Sequence, residues 1–145
     1  MWLVSKMGKF LFFFFILFSI TNSCDKIQDS QVPNVSFTLT INLTINNELT
    51  IPGNSIFFPG PGVGYGGVIV YCELPDSYYA FDATCTHEIS QNCKVVNSGV
   101  LGECSCCKSE FILLGGGYPA SGPAAAPLKQ YSVSRVNSFT LRVYN

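Results

Sequence analysis

Charge and histidine are scarce in this chain. Charged residues make up 12% of the 145 residues, the formal net charge is −1, and the eight lysines and arginines form no basic patch. Nucleic-acid-binding proteins need clustered positive charge, so this composition argues against a nucleic-acid partner. It also provides no electrostatic contact with a membrane. Because His87 is the one histidine, a metal site in this chain would have at most one imidazole ligand.

A sustained helical period is also missing after residue 24. Residues 35–45 instead alternate strictly between apolar and small polar side chains, which is typical of a strand with one buried face. Further strands are predicted at 68–74 and 78–82, in a hairpin at 94–104 that turns at 97–99, at 110–117, and in a final hairpin at 131–144 that turns at 137–138. Loops are predicted at 51–67, with short extended pieces, and at 115–127. The fold class is therefore all-β, a small sandwich or barrel of roughly eight to ten strands.

The glycine-rich stretch at 60–67 does not predict a nucleotide site. Gly62, Gly64 and Gly67 fit the pattern G-x-G-x-x-G, which binds a dinucleotide when it follows a strand and opens a helix. Here the pattern precedes a strand and no helix follows, so we predict a loop.

No catalytic acid–base pair is visible in the sequence, and we do not expect a stand-alone enzyme.

The first 23 residues read as a signal peptide: Lys6 and Lys9 precede an apolar run at 10–17, and small polar residues follow. The run is shorter than the about twenty residues of a spanning helix. Ser23 before Cys24 resembles a bacterial lipobox, in which a peptidase cuts before the cysteine and a diacylglycerol is attached to its sulfur. The expectation is an exported bacterial lipoprotein, anchored through Cys24 at the periplasmic face or the outer membrane or cell surface. Ordinary secretion is the alternative. Residues 24–145 then form one domain.

Six cysteines follow Cys24, and in an exported protein each can be a bridge, a ligand or a core residue. The sequence Cys85-Thr86-His87 is separated by sixteen residues from Cys104-x-x-Cys107, so that two close pairs of donors lie on separate loops. Soft thiolates with one imidazole suit zinc or an iron–sulfur cluster, and the spacing alone does not separate the two. Cys72, within an apolar strand, is predicted to be a core residue.

Three stretches together, "AFDATCTH", "CSCCKS" and "GPAAAPLKQY" before a terminal hairpin, resemble the Rieske iron–sulfur family. That family pairs a C-x-H box with a C-x-x-H box and covers its cluster with a Gly-Pro-rich loop. The resemblance implies a Rieske-type fold with an inserted cluster-binding subdomain, whose loops lie at about 82–118, and a [2Fe–2S] cluster.

Residue by residue, the resemblance implies a role for each site position. The implied ligands are Cys85, His87 and Cys104, with Cys107 at the position of the second histidine. The implied disulfide joins Cys93 to Cys106. Around the cluster, Ser109 matches a serine that donates a hydrogen bond to a cluster sulfur, Gly122 and Pro123 match the covering loop, and Phe111 stands where the family usually has tyrosine.

Two departures from the family pattern predict a low reduction potential. Cys107 adds a negative charge relative to histidine, and Phe111 lacks a hydroxyl donor, so both changes favour the oxidised state. With His87 as the one imidazole, reduction is expected to couple to one proton. The predicted function is that of a lipid-anchored electron carrier that passes single electrons to a redox protein partner.

Two alternatives belong to other classes. One is a clusterless or zinc-bound structural or binding module on the cell surface. The other is a dithiol oxidoreductase built on Cys104 and Cys107, which is disfavoured because thioredoxin-like chemistry needs a helix after the first cysteine.

Overall fold

A computed structural model describes residues 30–145 of the chain. The predicted signal peptide at 1–23 and the predicted lipidation site at Cys24 lie outside the described residues. The elements are β1 (Thr38–Asn42), a 3-10 helix (Asn47–Thr50), β2 (Ser55–Phe58), β3 (Val68–Leu74), β4 (Ser77–Asp82), β5 (Val95–Ser98), β6 (Leu101–Cys104), β7 (Glu110–Ile112), β8 (Tyr118–Ser121), β9 (Gln130–Asn137) and β10 (Thr140–Tyr144). The prediction of an all-β fold is confirmed. Within residues 30–145, no helix has the length and apolarity needed to cross a bilayer.

The strands form two antiparallel sheets. The larger sheet has the order β1-β10-β9-β4-β3-β2, and the smaller one has the order β5-β6-β7-β8. Strands β4 and β9 pair with each other in the larger sheet, through Ala80 with Tyr131 and Phe81 with Gln130. Because all four strands of the smaller sheet lie between β4 and β9 in the sequence, the smaller sheet is an insertion into the larger one.

Strand β3 is apolar on both faces because it contributes to two cores. Val68 and Val70 pack in a core within the larger sheet, together with residues of β1, β4, β9 and β10. The alternate residues Ile69 and Tyr71 pack in a second core, which lies between the sheets and includes Phe111 of the inserted sheet. The second core therefore fixes the inserted sheet against the larger one.

The first strand is shorter than its alternating sequence predicts. Residues 35–45 fit a strand pattern throughout, but pairing of β1 with β10 covers only Thr38 to Asn42. After that point the Asn42 side chain accepts a hydrogen bond from the Thr44 amide at 2.8 Å, and the Asn46 amide donates to the Asn42 carbonyl at 3.0 Å. These local bonds turn the chain away from the sheet.

Three elements arise where the sequence predicts loops or irregular chain. Strand β2 lies in the stretch predicted as a loop with extended pieces, and β8 lies in the glycine- and proline-rich stretch after β7. Each of them pairs with a neighbouring strand that the sequence does predict, β3 and β7 respectively. The 3-10 helix is the third element, and it buries Leu49.

The glycine-rich loop before β3 binds a carboxylate of the chain itself. Asp82 is fully buried at the end of β4, and its oxygens accept hydrogen bonds from the amides of Tyr65 at 2.6 Å and Gly66 at 3.0 Å. The Thr84 amide at 2.9 Å and the Tyr131 hydroxyl at 2.6 Å complete the set. The predicted loop thus fixes the end of β4, from which the first cysteine loop departs.

Candidate metal centre

The first cysteine loop leaves β4 and is closed at its base by backbone bonds. The Cys85 amide donates to the Cys93 carbonyl at 3.0 Å, and Thr84 forms an isolated bridge with Lys94. The Val95 amide then donates to the Ala83 carbonyl at 2.7 Å. Residues 85–93 therefore project from the larger sheet as a closed loop, with Cys85 and Cys93 opposite each other at its base.

The second cysteine loop is the tight connection between β6 and β7. The Cys104 amide donates to the Ser109 carbonyl at 2.8 Å, and the Lys108 amide donates to the Cys104 carbonyl at 3.1 Å. Lys108, which stands where the resembling family has glycine, adopts the left-handed conformation with φ 60°. Its ammonium lies 2.9 Å from a carboxylate oxygen of Glu103 in an exposed ion pair. This turn places the second pair of cysteines, Cys104 and Cys107, on the same side of the loop.

A disulfide joins the two loops. Cys93 and Cys106 are bonded, with Sγ atoms 2.09 Å apart and Cα atoms 5.3 Å apart, and this is the pairing that the resemblance implies. A carboxylate oxygen of Glu88 lies 3.2 Å from the Cys93 sulfur. Glu88, Cys93 and Cys106 therefore cluster closely, but the disulfide removes both thiolates that a metal would need.

Three free thiols converge between the loops. The Sγ atoms of Cys85, Cys104 and Cys107 all lie within 4.8 Å of one another, and Cys85 and Cys107 are 3.5 Å apart. Cys85 and Cys104 are fully buried, whereas Cys107 is partly exposed. His87 is exposed and does not belong to this group. The structure thus brings together three of the four predicted ligands and leaves the imidazole at the surface of the same loop.

Ser109 lies directly beside these thiols. Its hydroxyl oxygen accepts a hydrogen bond from the Ala124 amide at 3.0 Å and lies 3.1 Å from the Cys107 sulfur. With the amide as its donor, the hydroxyl is free to donate its own proton to sulfur. Ser109 is fully buried, whereas its partner Cys107 is partly exposed.

The segment after β8 covers the thiols. Gly122 has φ 85°, and a Cβ there would lie 2.6 Å from the Ser109 Cα, so only glycine permits this close approach. Thr86 of the first loop donates its hydroxyl proton to the Ala126 carbonyl at 2.7 Å. Pro123 is exposed on the outside of this segment. The covering segment therefore contacts both cysteine loops through specific bonds.

Phe111 occupies a core position. Its ring is fully buried in the core between the two sheets, in the same cluster as Cys85 and Cys104. As the sequence indicates, it provides no hydroxyl to the site, and Ser109 is the residue that does. Cys72 is the remaining free cysteine of the described residues, and it is buried in β3 with its sulfur 3.4 Å from the Leu74 carbonyl oxygen.

The thiols differ in acidity because they differ in burial and in hydrogen bonds. Burial, reinforced by hydrogen bonding with Cys104, raises the pKa of Cys85 to about 12. Burial also acts to raise the pKa of Cys107, but hydrogen bonds from the Ser109 hydroxyl and backbone and from the neighbouring thiols outweigh it, so the pKa of Cys107 is lowered. Of Cys85 and Cys107, Cys107 is thus the thiol that more readily becomes a thiolate.

Two residues that support the site are absent from the sequence-based prediction. Asp82 is visible in the sequence as a charged residue within an apolar strand that leads into "CTH", and that position is a usable signal for a buried, bonded carboxylate. Thr86 carries no comparable signal, because its partner is a backbone carbonyl forty residues away. Sequence spacing does not reveal contacts of that kind.

The donor set fits an iron–sulfur cluster or another thiophilic metal. Three thiols, two of them fully buried and none in a disulfide, present soft ligands to one small region. The Ser109 hydroxyl adds a hydrogen bond to sulfur, which is the kind of neighbouring contact that tunes metal sites. His87, the one histidine of the chain, lies two residues after Cys85 in the sequence.

Solved structures of Rieske-type proteins resemble this chain. A chain of the complex of reduced oxygenase and oxidized ferredoxin in carbazole 1,9a-dioxygenase is 27% identical, with a TM-score of 0.50, and the match covers 74% of this chain and 92% of that one. The plasma membrane Rieske protein of the cyanobacterium Synechocystis PCC 6803 is 22% identical, with a TM-score of 0.53, and the match covers 74% and 99%. The fold is therefore of the Rieske type. No protein-family model and no curated protein sequence matches the chain.

Proposed function

We propose that this chain is an electron-transfer protein that binds a [2Fe–2S] cluster through Cys85, Cys104, Cys107 and His87. The observation that carries the proposal is the convergence of three unbridged thiols between two loops of a Rieske-type fold. Three free thiols within 4.8 Å of one another offer soft ligands to a single site, and a metal is the partner that thiolates favour. His87 completes the set if its exposed ring turns toward the thiols.

When bound, a [2Fe–2S] cluster supplies a one-electron redox couple. The residues of the chain exclude water and tune that couple. Cys85 and Cys104 are fully buried, so their sulfurs lie away from solvent. The Ser109 hydroxyl lies 3.1 Å from the Cys107 sulfur and accepts from the Ala124 amide, so it can donate its own proton and stabilise negative charge on that sulfur. The disulfide between Cys93 and Cys106 fixes the two loops together. His87 is exposed at the surface of the first cysteine loop.

The partner we propose is another redox protein. One similar structure is a complex between an oxygenase and a ferredoxin. The exposed surface around His87 would allow such a partner to approach. We further propose that the protein is exported and held at a membrane by a lipid on Cys24, on the strength of the lipobox-like sequence at 21–24.

Zinc is the second candidate ligand. Sulfur atoms within 4.8 Å of one another suit a single tetrahedral ion, and three thiolates with one imidazole form a common structural zinc site. On this alternative the protein has no redox couple and acts as a structural or binding module.

A redox titration distinguishes the two. The full chain is purified without oxygen, and its visible spectrum and electron paramagnetic resonance are followed as the potential is lowered. The proposal predicts a reversible one-electron couple between the Rieske range, whose lower end is about −150 mV, and the value near −400 mV of all-cysteine clusters. A colourless protein that contains stoichiometric zinc would contradict the proposal.

The variant Cys107→His sharpens this test. Replacing a thiolate by a neutral imidazole removes one negative charge, so the potential should rise by roughly 100 mV or more toward the Rieske range. Cys106→Ser is the matched control, because it changes the adjacent cysteine, which is bonded to Cys93, and leaves the four proposed ligands in place. An unchanged potential in Cys107→His would mean that Cys107 is not a ligand.

A further inference from the structure

We infer that Cys85 and Cys107 form a second disulfide when the site holds no metal, and that this bond is a reversible oxidation that closes the site. The sulfur atoms of these two residues lie 3.5 Å apart. Bond formation requires an approach to about 2.05 Å. Cys107 is on a short turn and partly exposed, so rotation of its side chain can supply much of that movement.

The disulfide already present in the chain favours this oxidation. The bond between Cys93 and Cys106 joins the same two loops, and Cys106 is the direct neighbour of Cys107. Conditions that form and preserve the first bond also act on a second pair of adjacent thiols. The first bond also keeps the loops together, so Cys85 and Cys107 remain close whether or not a metal is present.

The exposure of the thiols defines their roles. A disulfide oxidant can reach Cys107, which is partly exposed, but cannot reach Cys85 or Cys104, which are fully buried. The thiolate of Cys107 attacks one sulfur of the oxidant, forms a mixed disulfide and releases the first thiol of the oxidant. The thiolate of Cys85 then attacks the Cys107 sulfur and releases the second thiol.

This sequence of steps balances. Cys85 and Cys107 together lose two protons and two electrons, the disulfide bond of the oxidant breaks, and a new disulfide bond forms in the chain. The oxidant leaves as two thiols that carry the two protons. Cys104 remains a free thiol, since three thiols can form only one pair. Cys107 is essential to this chemistry, because a histidine at the same position could bind metal but could not form the bond.

The consequence for metal loading rests on the proposed function, whereas the bond itself does not. Oxidation removes two of the three converging thiolates, so the oxidised chain should fail to take up iron until it is reduced. The site would then be loaded only while Cys85 and Cys107 are kept reduced.

Differential labelling of the full, metal-free chain tests the bond. One half of the sample is exposed to oxidised glutathione and the other half is kept without oxygen. Each half is unfolded in one alkylating reagent, then reduced and treated with a heavy form of the same reagent, and fragment masses locate each label. After oxidation we expect near-complete transfer of Cys85 and Cys107 from the light to the heavy label, while Cys72 and Cys104 keep the light label.

Three results would overturn the inference. Cys85 and Cys107 could keep the light label, Cys104 could change together with Cys107, or glutathione could remain on Cys107 while Cys85 stays light. The variant Cys107→Ser should leave Cys85 light, and Cys72→Ala, which changes a buried thiol of β3 outside the site, should preserve the transfer. The result for the unsubstituted chain decides the matter even if a variant does not fold.

Iron uptake measured on the same two halves separates this inference from the proposed function. If the labels change as expected but neither half binds iron, the cluster proposal fails and the disulfide stands. If the reduced half binds iron and the labels do not change, the cluster proposal stands and the disulfide fails.

Discussion

Two buried polar groups lie three residues apart where β4 ends, and they differ in their hydrogen-bond partners. Asp82 is fully buried, and four protein donors satisfy its carboxylate, including the amides of Tyr65, Gly66 and Thr84. Cys85 is equally buried, and its sulfur has hydrogen-bond contacts with the thiols of Cys104 and Cys107 and with the backbone of His87 and Glu88. The first centre is one carboxylate surrounded by donors of the protein, whereas the second brings three free thiols to one place.

That difference supports the proposal that the thiol group binds a metal, whereas the centre at Asp82 is structural. A buried charge is tolerated when it is fully hydrogen-bonded, so Asp82 needs no external partner and serves to hold the glycine-rich loop. Three free thiols brought together by two loops, a disulfide and a covering segment form a set of soft ligands. A metal is the partner that such ligands favour.

The largest effect we predict is on iron binding by the group of three thiols. Cys85→Ser should reduce iron binding by well over the roughly 10–100-fold that follows loss of a supporting contact, because it removes a ligand itself. Iron per chain in anaerobically purified protein measures this. Cys72→Ala, a buried cysteine outside the site, is the control and should retain iron. Equal iron in both variants would mean that the thiols do not form the site.

The second prediction concerns Asp82 and the hydrogen bonds that its carboxylate accepts. Asp82→Asn replaces a carboxylate that accepts four hydrogen bonds by an amide whose NH2 group faces other donors, which should lower the free energy of unfolding by about 3 kcal/mol. Tyr131→Phe removes one donor and keeps the charge, so we expect a loss of about 1–2 kcal/mol. Denaturant unfolding of the metal-free protein measures both. An equal, small loss in the two variants would contradict a structural role for the carboxylate.

The third prediction concerns the segment that covers the thiols. Gly122→Ala forces a Cβ into contact with the Ser109 backbone at a positive φ, and should cost about 2–3 kcal/mol. Gly53→Ala is a matched control, since Gly53 has φ 90° but no atom lies within 4 Å of the place that its Cβ would take, and it should cost only about 1 kcal/mol. If both variants lose the same stability, the covering segment does not pack closely on Ser109.

The smallest predicted effect has the opposite sign. Lys108 adopts a left-handed conformation that glycine adopts without strain. Lys108→Gly should therefore raise the melting temperature by a few degrees, reduced somewhat by loss of the exposed ion pair with Glu103. Lys108→Ala removes the same ion pair and keeps the strain, so it should not raise the melting temperature. A lower melting temperature for the glycine variant would show that the ion pair outweighs the strain.

The sequence predicts much of the fold because most strands bury apolar side chains in a regular pattern. Strand β3 agrees with its prediction at both ends, since both of its faces are buried. Strand β2 is predicted only as an extended piece of a loop and β8 is not predicted, because glycine and proline surround them and the pairing with a neighbour determines their conformation. Propensity does not report such pairing.

For the site, the sequence indicates which cysteines lie in the two boxes but not how each side chain is oriented. The structure brings Cys85, Cys104 and Cys107 of these boxes together, and their role as ligands stays a prediction. The exposed position of His87 depends on the conformation of its loop, which spacing does not encode. The four bonds of Asp82 likewise depend on loops that are distant in the sequence.

The most direct test of this account is the iron and acid-labile sulfide content of the anaerobically purified chain. A [2Fe–2S] cluster requires about two iron atoms and about two sulfides per chain, and both should be lost in Cys85→Ser. Stoichiometric zinc without sulfide, or no metal in a chain whose thiols are all reduced, would contradict it.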